Sequence, residues 1–310
     1  MASKYLRFNF LLKVLLLISC LLFLAFKLNA AKTDILDLYF LFRTKMARGY
    51  IVIGVILILM PFNWSLEALK WRLLTGKVVQ LNFWNSLKGV VLGLGLSFFT
   101  PYAVGDYLGR IGLITHVDRR RLIGPLLIGR LVQLFITLIF GLLGVYYLFG
   151  VEYISYLLIA IIVFFAVFLM VHRGPRIKWK PKFISQIRIY FGLILDFDRR
   201  ELLAVFTISF LRYFTFTLQF LLALQLFLPE VELHLKLAGI TWVFFAKSII
   251  PTFNFLSDLG IREVSAILFF EHYSIDIEPV ILASLLIWII NLLLPTMLSL
   301  PLMFKLKIIR

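Results

Sequence analysis

A chain of 310 residues that is 62% hydrophobic and 15% charged, with a mean hydropathy of +1.00, is too apolar for a soluble domain and fits several membrane-crossing helices of ~20 residues each. The net charge of +16 does not point to nucleic acid, because the basic residues fall between apolar runs, as membrane topology and anionic lipid dictate. A single cysteine, Cys20, excludes an internal disulfide and argues against a cysteine metal site.

The first apolar run, 9–29, contains "LISC", which looks like a lipoprotein cleavage box. The run continues past Cys20 to Phe26, so an uncleaved helix is expected. In the loop 31–49, "DILDLYFLF" has the pattern of an interfacial amphipathic helix. The run 50–68 leads to basic Lys70, Arg72 and Lys77, read as an inner loop. Next come 86–100 and 103–116, then Arg119, Arg120 and Arg121 as a second inner cluster, and the long runs 122–149 and 151–171. The segment 173–200 is strongly basic and is expected inside. After 202–228 the chain carries the acidic "PEVELH", then 236–250, 260–270, the acidic "EHYSIDIEP", a last run 279–304 and the basic Lys305, Lys307 and Arg310. The basic ends put both termini in the cytoplasm and the acidic loops outside.

These assignments require the chain to enter and return between the inner clusters (86–116) and again between the acidic loops (236–270). Fifteen helical residues reach only ~22 Å, short of a ~30 Å hydrocarbon core, so both pairs are expected to be re-entrant hairpins. They share a design. "LSFFTPYAVGDYLGR" and "AKSIIPTFNFLSDLGIRE" each run from an apolar half-helix through Pro101 or Pro251 to an acid, a glycine and an arginine. The fold expected is all-α: one membrane domain over 1–310, with about six spanning helices and two oppositely inserted hairpins forming an inverted repeat.

Backbone breaks at membrane depth survive only where protein or a wet cavity satisfies their polar groups. Thr100, Pro101 and Gly105 mark the first break, and Pro251 and Gly260 the second, with Ser257 or Asp258 as a cap for a helix starting near Gly260. A simple proline kink is the alternative. Charges inside spans usually face the bundle interior and mark a pathway, which selects Arg212, with Thr215 and Gln219 on its face, and Arg130, with Gln133 and Thr137 on its face. Snorkelling is the competing account of Arg130. Lys247 lies late in the outer half-helix. Arg110 has Asp106 four residues earlier; Arg262 has Asp258 four residues earlier and Glu263 beside it. Two accounts stay open: ion pairs neutralising buried charge, or arginine forks that grip a lipid phosphate while the acids hold the empty site. Asn291, with Pro295, reads as a kink with a packing hydrogen bond, cavity lining second. Gly89, Gly93 and Gly95 read as helix packing, and Trp64, Trp71, Trp84 and Trp179 as interface belts. No Walker loop, nucleophile elbow or metal motif occurs, so neither a cofactor nor ATP is expected.

At Thr100, Pro101, Gly105, Asp106 and Arg110, and again at Pro251, Gly260, Arg262 and Glu263, the chain resembles the flippase-like integral membrane domain family, best known as the membrane half of aminoacyl-phosphatidylglycerol synthase-flippases. "WRLL" at Trp71 and "GRLVQL" at Gly129 add to the likeness, although Gly129 and Gln133 stand where members often carry acids. The resemblance covers nearly the whole chain and implies a stand-alone member without the aminoacyltransferase domain. It implies binding or movement of an anionic phospholipid or lipid-linked phosphate across a bacterial-type cell membrane, without catalysis. Partners implied are membrane lipids, with a second copy or a separate lipid-modifying enzyme left open. The rival readings are a transferase acting on a polyprenyl phosphate, with Asp106 or Glu263 as base, and an accessory subunit of an envelope-lipid enzyme.

Overall fold

A computed structural model describes residues 35–100, 104–114, 117–173, 197–250 and 255–304, all helix, turn or loop with no strand among them. The first apolar run with Cys20, most of the basic segment 173–200, Pro101, Pro251, His116, Trp179 and the basic residues after Phe304 lie outside the described residues. Four helical stretches are long and apolar enough to cross a membrane: Tyr50–Thr75, Arg119–Phe149, Arg199–Phe227 and Ile277–Met303.

Helix α1 (Ile35–Arg48) covers the stretch expected to be an amphipathic helix, and Phe42 stacks on Phe227 with ring centroids 6.1 Å apart. Helix α2 (Tyr50–Thr75) is seven residues longer than its apolar run. Lys70 and Arg72 therefore belong to a helix and not to an inner loop. The helix continues because Trp71 and Leu74 are both 1% exposed and extend its packed face past the charges.

Helices α3 (Phe83–Phe99) and α4 (Val104–Gly112) fold back on each other. Asn82 caps α3 by accepting from the Asn85 N–H at 2.7 Å. The Thr100 hydroxyl serves both sides of the turn, donating to the Leu96 carbonyl (2.9 Å) and accepting from the Gly105 N–H (2.7 Å). The backbones approach so closely that a Cβ on Gly105 would lie 2.1 Å from the Leu96 carbonyl carbon, and one on Gly109 would lie 2.3 Å from the Gly93 nitrogen. Only glycine fits there.

A 3₁₀ turn (Arg119–Leu122) leads into α5 (Ile123–Phe149). Gly150, with φ of 81°, then turns the chain into α6 (Val151–Arg173), which packs along α5. Helix α7 (Arg199–Phe227) opens with a capping box: the Asp198 side chain accepts from the Glu201 N–H at 2.7 Å, and the Glu201 carboxylate accepts from the Asp198 N–H at 2.9 Å. Helices α8 (Leu233–Ile249) and α9 (Phe255–His272) form a second packed pair, joined where Trp242 Nε1 donates to the Ser265 carbonyl at 3.0 Å. Because α9 starts at Phe255, Ser257 and Asp258 lie in its first turn and Gly260 is inside it, buried. They do not precede a helix that starts near Gly260. Acidic residues suit a first turn electrostatically without being the cap.

The last long helix has three parts: α10 (Ile277–Trp288), a π-helical turn (Ile289–Leu293) and α11 (Leu294–Phe304). The wide turn lies directly before Pro295, whose missing N–H and ring bulk break the regular ladder. The main core joins α2, α7, α8, α9 and α10 through Ile56, Phe220, Val243, Phe269 and Ala283, all 0% exposed. Large apolar side chains such as Ile58, Phe62, Leu143, Phe210 and Phe214 face outward, as a hydrocarbon surround permits.

One end of the bundle is basic. Arg72, Lys77, Arg119, Arg120, Arg121, Arg199 and Arg200 gather there, where Lys77 meets Glu201 at 2.8 Å. The other end carries Glu230, Glu232, Glu271, Asp276 and Glu278, and is tied together by Tyr273, whose hydroxyl donates to the Tyr147 carbonyl at 2.6 Å.

Candidate functional site

Helix α2 presents Asn63, Glu67, Lys70 and Trp71, spaced so that all fall on one stripe of its surface. Two other helices, α4 and α7, send cations to that stripe, and a third, α5, reaches Asp106 on α4. From α4, Arg110 donates through Nη1 to Glu67 Oε1 at 2.6 Å and through Nε to Asp106 Oδ1 at 2.5 Å. From α7, Arg212 donates through Nη1 to Glu67 Oε2 and through Nε to Asn63 Oδ1 at 2.8 Å. Lys70 reaches the same Glu67 Oε2 at 2.8 Å and lies 3.5 Å from the Gly129 carbonyl. From α5, Arg130 donates through Nη2 to Asp106 Oδ2 at 3.0 Å. The Arg110 guanidinium carbon sits 5.6 Å from the centroid of the Trp71 ring. Trp71 is thus 1% exposed beneath an arginine, not part of an interface belt.

The result is a continuous chain, Lys70–Glu67–Arg110–Asp106–Arg130, with Arg212 branching from Glu67. Both oxygens of each carboxylate are engaged. These six side chains carry four positive and two negative charges, an excess of two. Three of the contributing helices are membrane-length: α2, α5 and α7. Arg212 is the fourteenth of the 29 residues of its helix, far from either end. The cluster is graded in exposure: Lys70 and Arg110 are 3% and 7% exposed, Arg212 16% and Arg130 41%. It opens on the Arg130 side.

Arg262 and Glu263 form a separate group on α9. Arg262 donates through Nη2 to Glu263 Oε1 and through Nε to the Ser284 hydroxyl, both at 2.9 Å. Ser284 in turn donates to Glu263 Oε1 at 2.8 Å. Glu263 Oε2 is buried and has no hydrogen-bond partner among the described residues. Arg110 and Arg262, expected to share one clamp, pair with different acids: Glu67 and Asp106 for the first, Glu263 for the second. The i−4 spacing and the adjacent acid favour exactly such local pairing over convergence.

Gln219 and Asn291 tie helices together, as the packing hydrogen bond expected for Asn291 requires. Gln219 is 0% exposed, donates to the Ile56 carbonyl at 2.9 Å and accepts from Asn291 Nδ2 at 3.1 Å. Asn291 lies in the π turn. Gln133 Oε1 is buried and lacks a partner among the described residues, while the Gln133 carbonyl accepts from Thr137 at 3.0 Å. Lys247 is exposed in the last turn of α8. The side chain of Asp258 lies outside the described set.

Sequence reasoning missed Asn63, Glu67 and Lys70. Their signal was periodicity: Asn63, Glu67, Lys70 and Leu74 repeat every three or four residues, which places polar groups on a helix face that also carries buried Trp71 and Leu74. Compared with protein-family models, curated proteins and solved structures, the chain gives no match.

Proposed function

We propose that the protein binds an anionic lipid at the Glu67–Arg110–Asp106–Arg130–Arg212–Lys70 cluster and moves it between the leaflets of the cytoplasmic membrane. The observation that carries this reading is a linked cluster of four cations and two acids drawn from the short α4 and from three membrane-length helices. Charges at such depth are costly and usually mark a pathway. A lipid phosphate brings negative charge to these cations, and arginine forks match its oxygens. The lipid's tails remain among the outward-facing apolar side chains, and its headgroup enters on the Arg130 side.

In this reading the basic end lies in the cytoplasm, in keeping with the positive-inside rule. Helix α3 starts at that end and α8 at the acidic end, so the pairs α3–α4 and α8–α9 act as two re-entrant hairpins of opposite orientation. At nine residues, or ~14 Å of helix, α4 is too short to cross on its own. The likeness to the flippase-like family points the same way. A transferase using Asp106 as base is disfavoured, because Arg110 and Arg130 occupy both of its oxygens.

The test is reconstitution in liposomes that contain a fluorescent anionic lipid, with movement read by quenching of the outer leaflet. Wild type should move the lipid at least tenfold faster than Arg110→Gln and Arg212→Gln, with insertion of each variant checked by protease protection. Equal rates for all three inserted proteins would remove the proposal.

A further inference from the structure

We infer that α1 is a lipid-binding surface that lies flat on the leaflet at the acidic end of the bundle and holds anionic headgroups through Arg43 and Arg48; this stands apart from the reading of the Glu67 cluster. Its direction follows from contacts with two neighbouring residues at the end of α7. Gly49, just after the helix, packs against the Leu226 side chain, and Phe42 stacks on Phe227. From Phe42 to Gly49 the chain covers ~10 Å of helix, whereas Leu226 and Phe227 differ by only ~1.5 Å along α7. Helix α1 therefore crosses the end of α7 and does not run on beside it. Its level follows from α2. Asn63, which meets Arg212 halfway along α7, lies thirteen residues after Tyr50, or ~20 Å. That exceeds the ~15 Å half-thickness of the hydrocarbon core, so α1 sits at the level of the headgroups.

The helix has two faces. Leu41, Phe42 and Met46 pack against the main core. On the far side, Leu36, Tyr39 and Phe40 are 60%, 56% and 56% exposed, and Arg43 and Ala47 continue their stripe at helical spacing. The apolar surface runs on beyond Gly49 into Tyr50 and Ile51, 70% and 66% exposed, at the head of the outward side of α2. Arg43 thus stands within an apolar face that adjoins lipid, with Arg48 on its flank. Neither arginine has an ion pair among the described residues, although this end carries Glu230, Glu232, Glu271, Asp276 and Glu278. The positive-inside rule also works against arginines here. A guanidinium among apolar side chains at headgroup level is matched by a lipid phosphate: the aromatic bodies reach the acyl boundary and the fork meets the anion. Anionic lipid is the occupant that satisfies both halves of the face.

The experiment uses the full chain with Cys20→Ala and Phe40→Cys, carrying bimane on that one cysteine, in phosphatidylcholine liposomes. Quenching is compared for three probes: phosphatidylglycerol and phosphatidylcholine, each with a nitroxide near the headgroup, and aqueous iodide. Both lipid probes should quench more than iodide, and phosphatidylglycerol should compete for the site about fivefold better than phosphatidylcholine, the worth of one interfacial arginine. Arg43→Gln with Arg48→Gln should bring the two lipids level, and Arg43→Lys with Arg48→Lys should keep the preference. Phe42 and Met46, which hold α1 on the core, are untouched in all of these variants. Equal quenching by the two lipids in the parent would overturn the inference, and so would a preference that survives the glutamine pair. Stronger quenching by iodide would show α1 off the membrane, and shielding from all three probes would show a protein covering it; either would overturn the inference. Lipid movement is read separately through Arg110→Gln and Arg212→Gln, so each reading can fail without the other.

Discussion

Replacing Glu67 with Gln tests how the charged cluster is held. The carboxylate accepts from Lys70 and Arg110 at 2.8 and 2.6 Å and from Arg212, and it is 8% exposed, so water cannot take its place. The amide keeps the shape and removes the charge, which leaves four cations facing Asp106 alone. Breaking a buried ion pair from one side costs about 3–5 kcal/mol. With an unfolding entropy of about 2.1 cal/mol/K per residue, 310 residues give about 0.65 kcal/mol/K, so the midpoint should fall by about 5–8 °C. Thermal unfolding in one detergent, followed by intrinsic tryptophan fluorescence, measures this. A companion variant sharpens the test: Glu67→Gln combined with Arg212→Gln removes one charge of each sign and should be less destabilised than the sum of the two single changes. If Glu67→Gln melts within 1 °C of wild type, Glu67 does not bear the cluster's electrostatic load and the reasoning fails.

Two glycines should respond with opposite signs to the same change. Gly54→Ala meets nothing within 4 Å and should stabilise α2 by about 0.5–1 kcal/mol, seen as a raised midpoint. Gly109→Ala, whose added carbon would sit 2.3 Å from the Gly93 nitrogen, should lower the midpoint and abolish lipid movement together, because Arg110 is the next residue. Gln219→Leu removes the acceptor of the Asn291 amide and the added bond to the Ile56 carbonyl and should cost about 1–3 kcal/mol in the same melt. Asp198→Ala removes one half of the capping box and should speed amide exchange over the first turn of α7, at a cost of about 1 kcal/mol.

The sequence made the helices legible wherever an apolar run was bounded by charge or proline. It also singled out Arg212, Arg130, Asp106 and Arg110, because a charge within an apolar run is costly. Glu67 and Lys70 escaped. Glu67 is next to last in the run 50–68 and passes unmarked there, while Lys70 reads with Arg72 and Lys77 as an inner loop; the buried Trp71 and Leu74 show that the helix carries on. Local spacing gave the pairs Asp106–Arg110 and Arg262–Glu263, both now seen at hydrogen-bond distance. It could not show that Glu67, 43 residues before Arg110 and 145 before Arg212, joins those two cations. Contacts between distant helices depend on packing angles that no local pattern encodes. The same limit left Gln219 without a named partner: a buried amide looks identical in sequence whether it faces a ligand or another amide, here that of Asn291.

The widened turn at Ile289–Leu293 divides the final helix between two allegiances. Above it, α10 is pressed into the main core against α7 and α9; below it, α11 lies against α3 and belongs with the glycine-packed pair. A shift of α3 would drag α11 along while α10 stayed fixed, so the strain of any such shift would concentrate in those five residues.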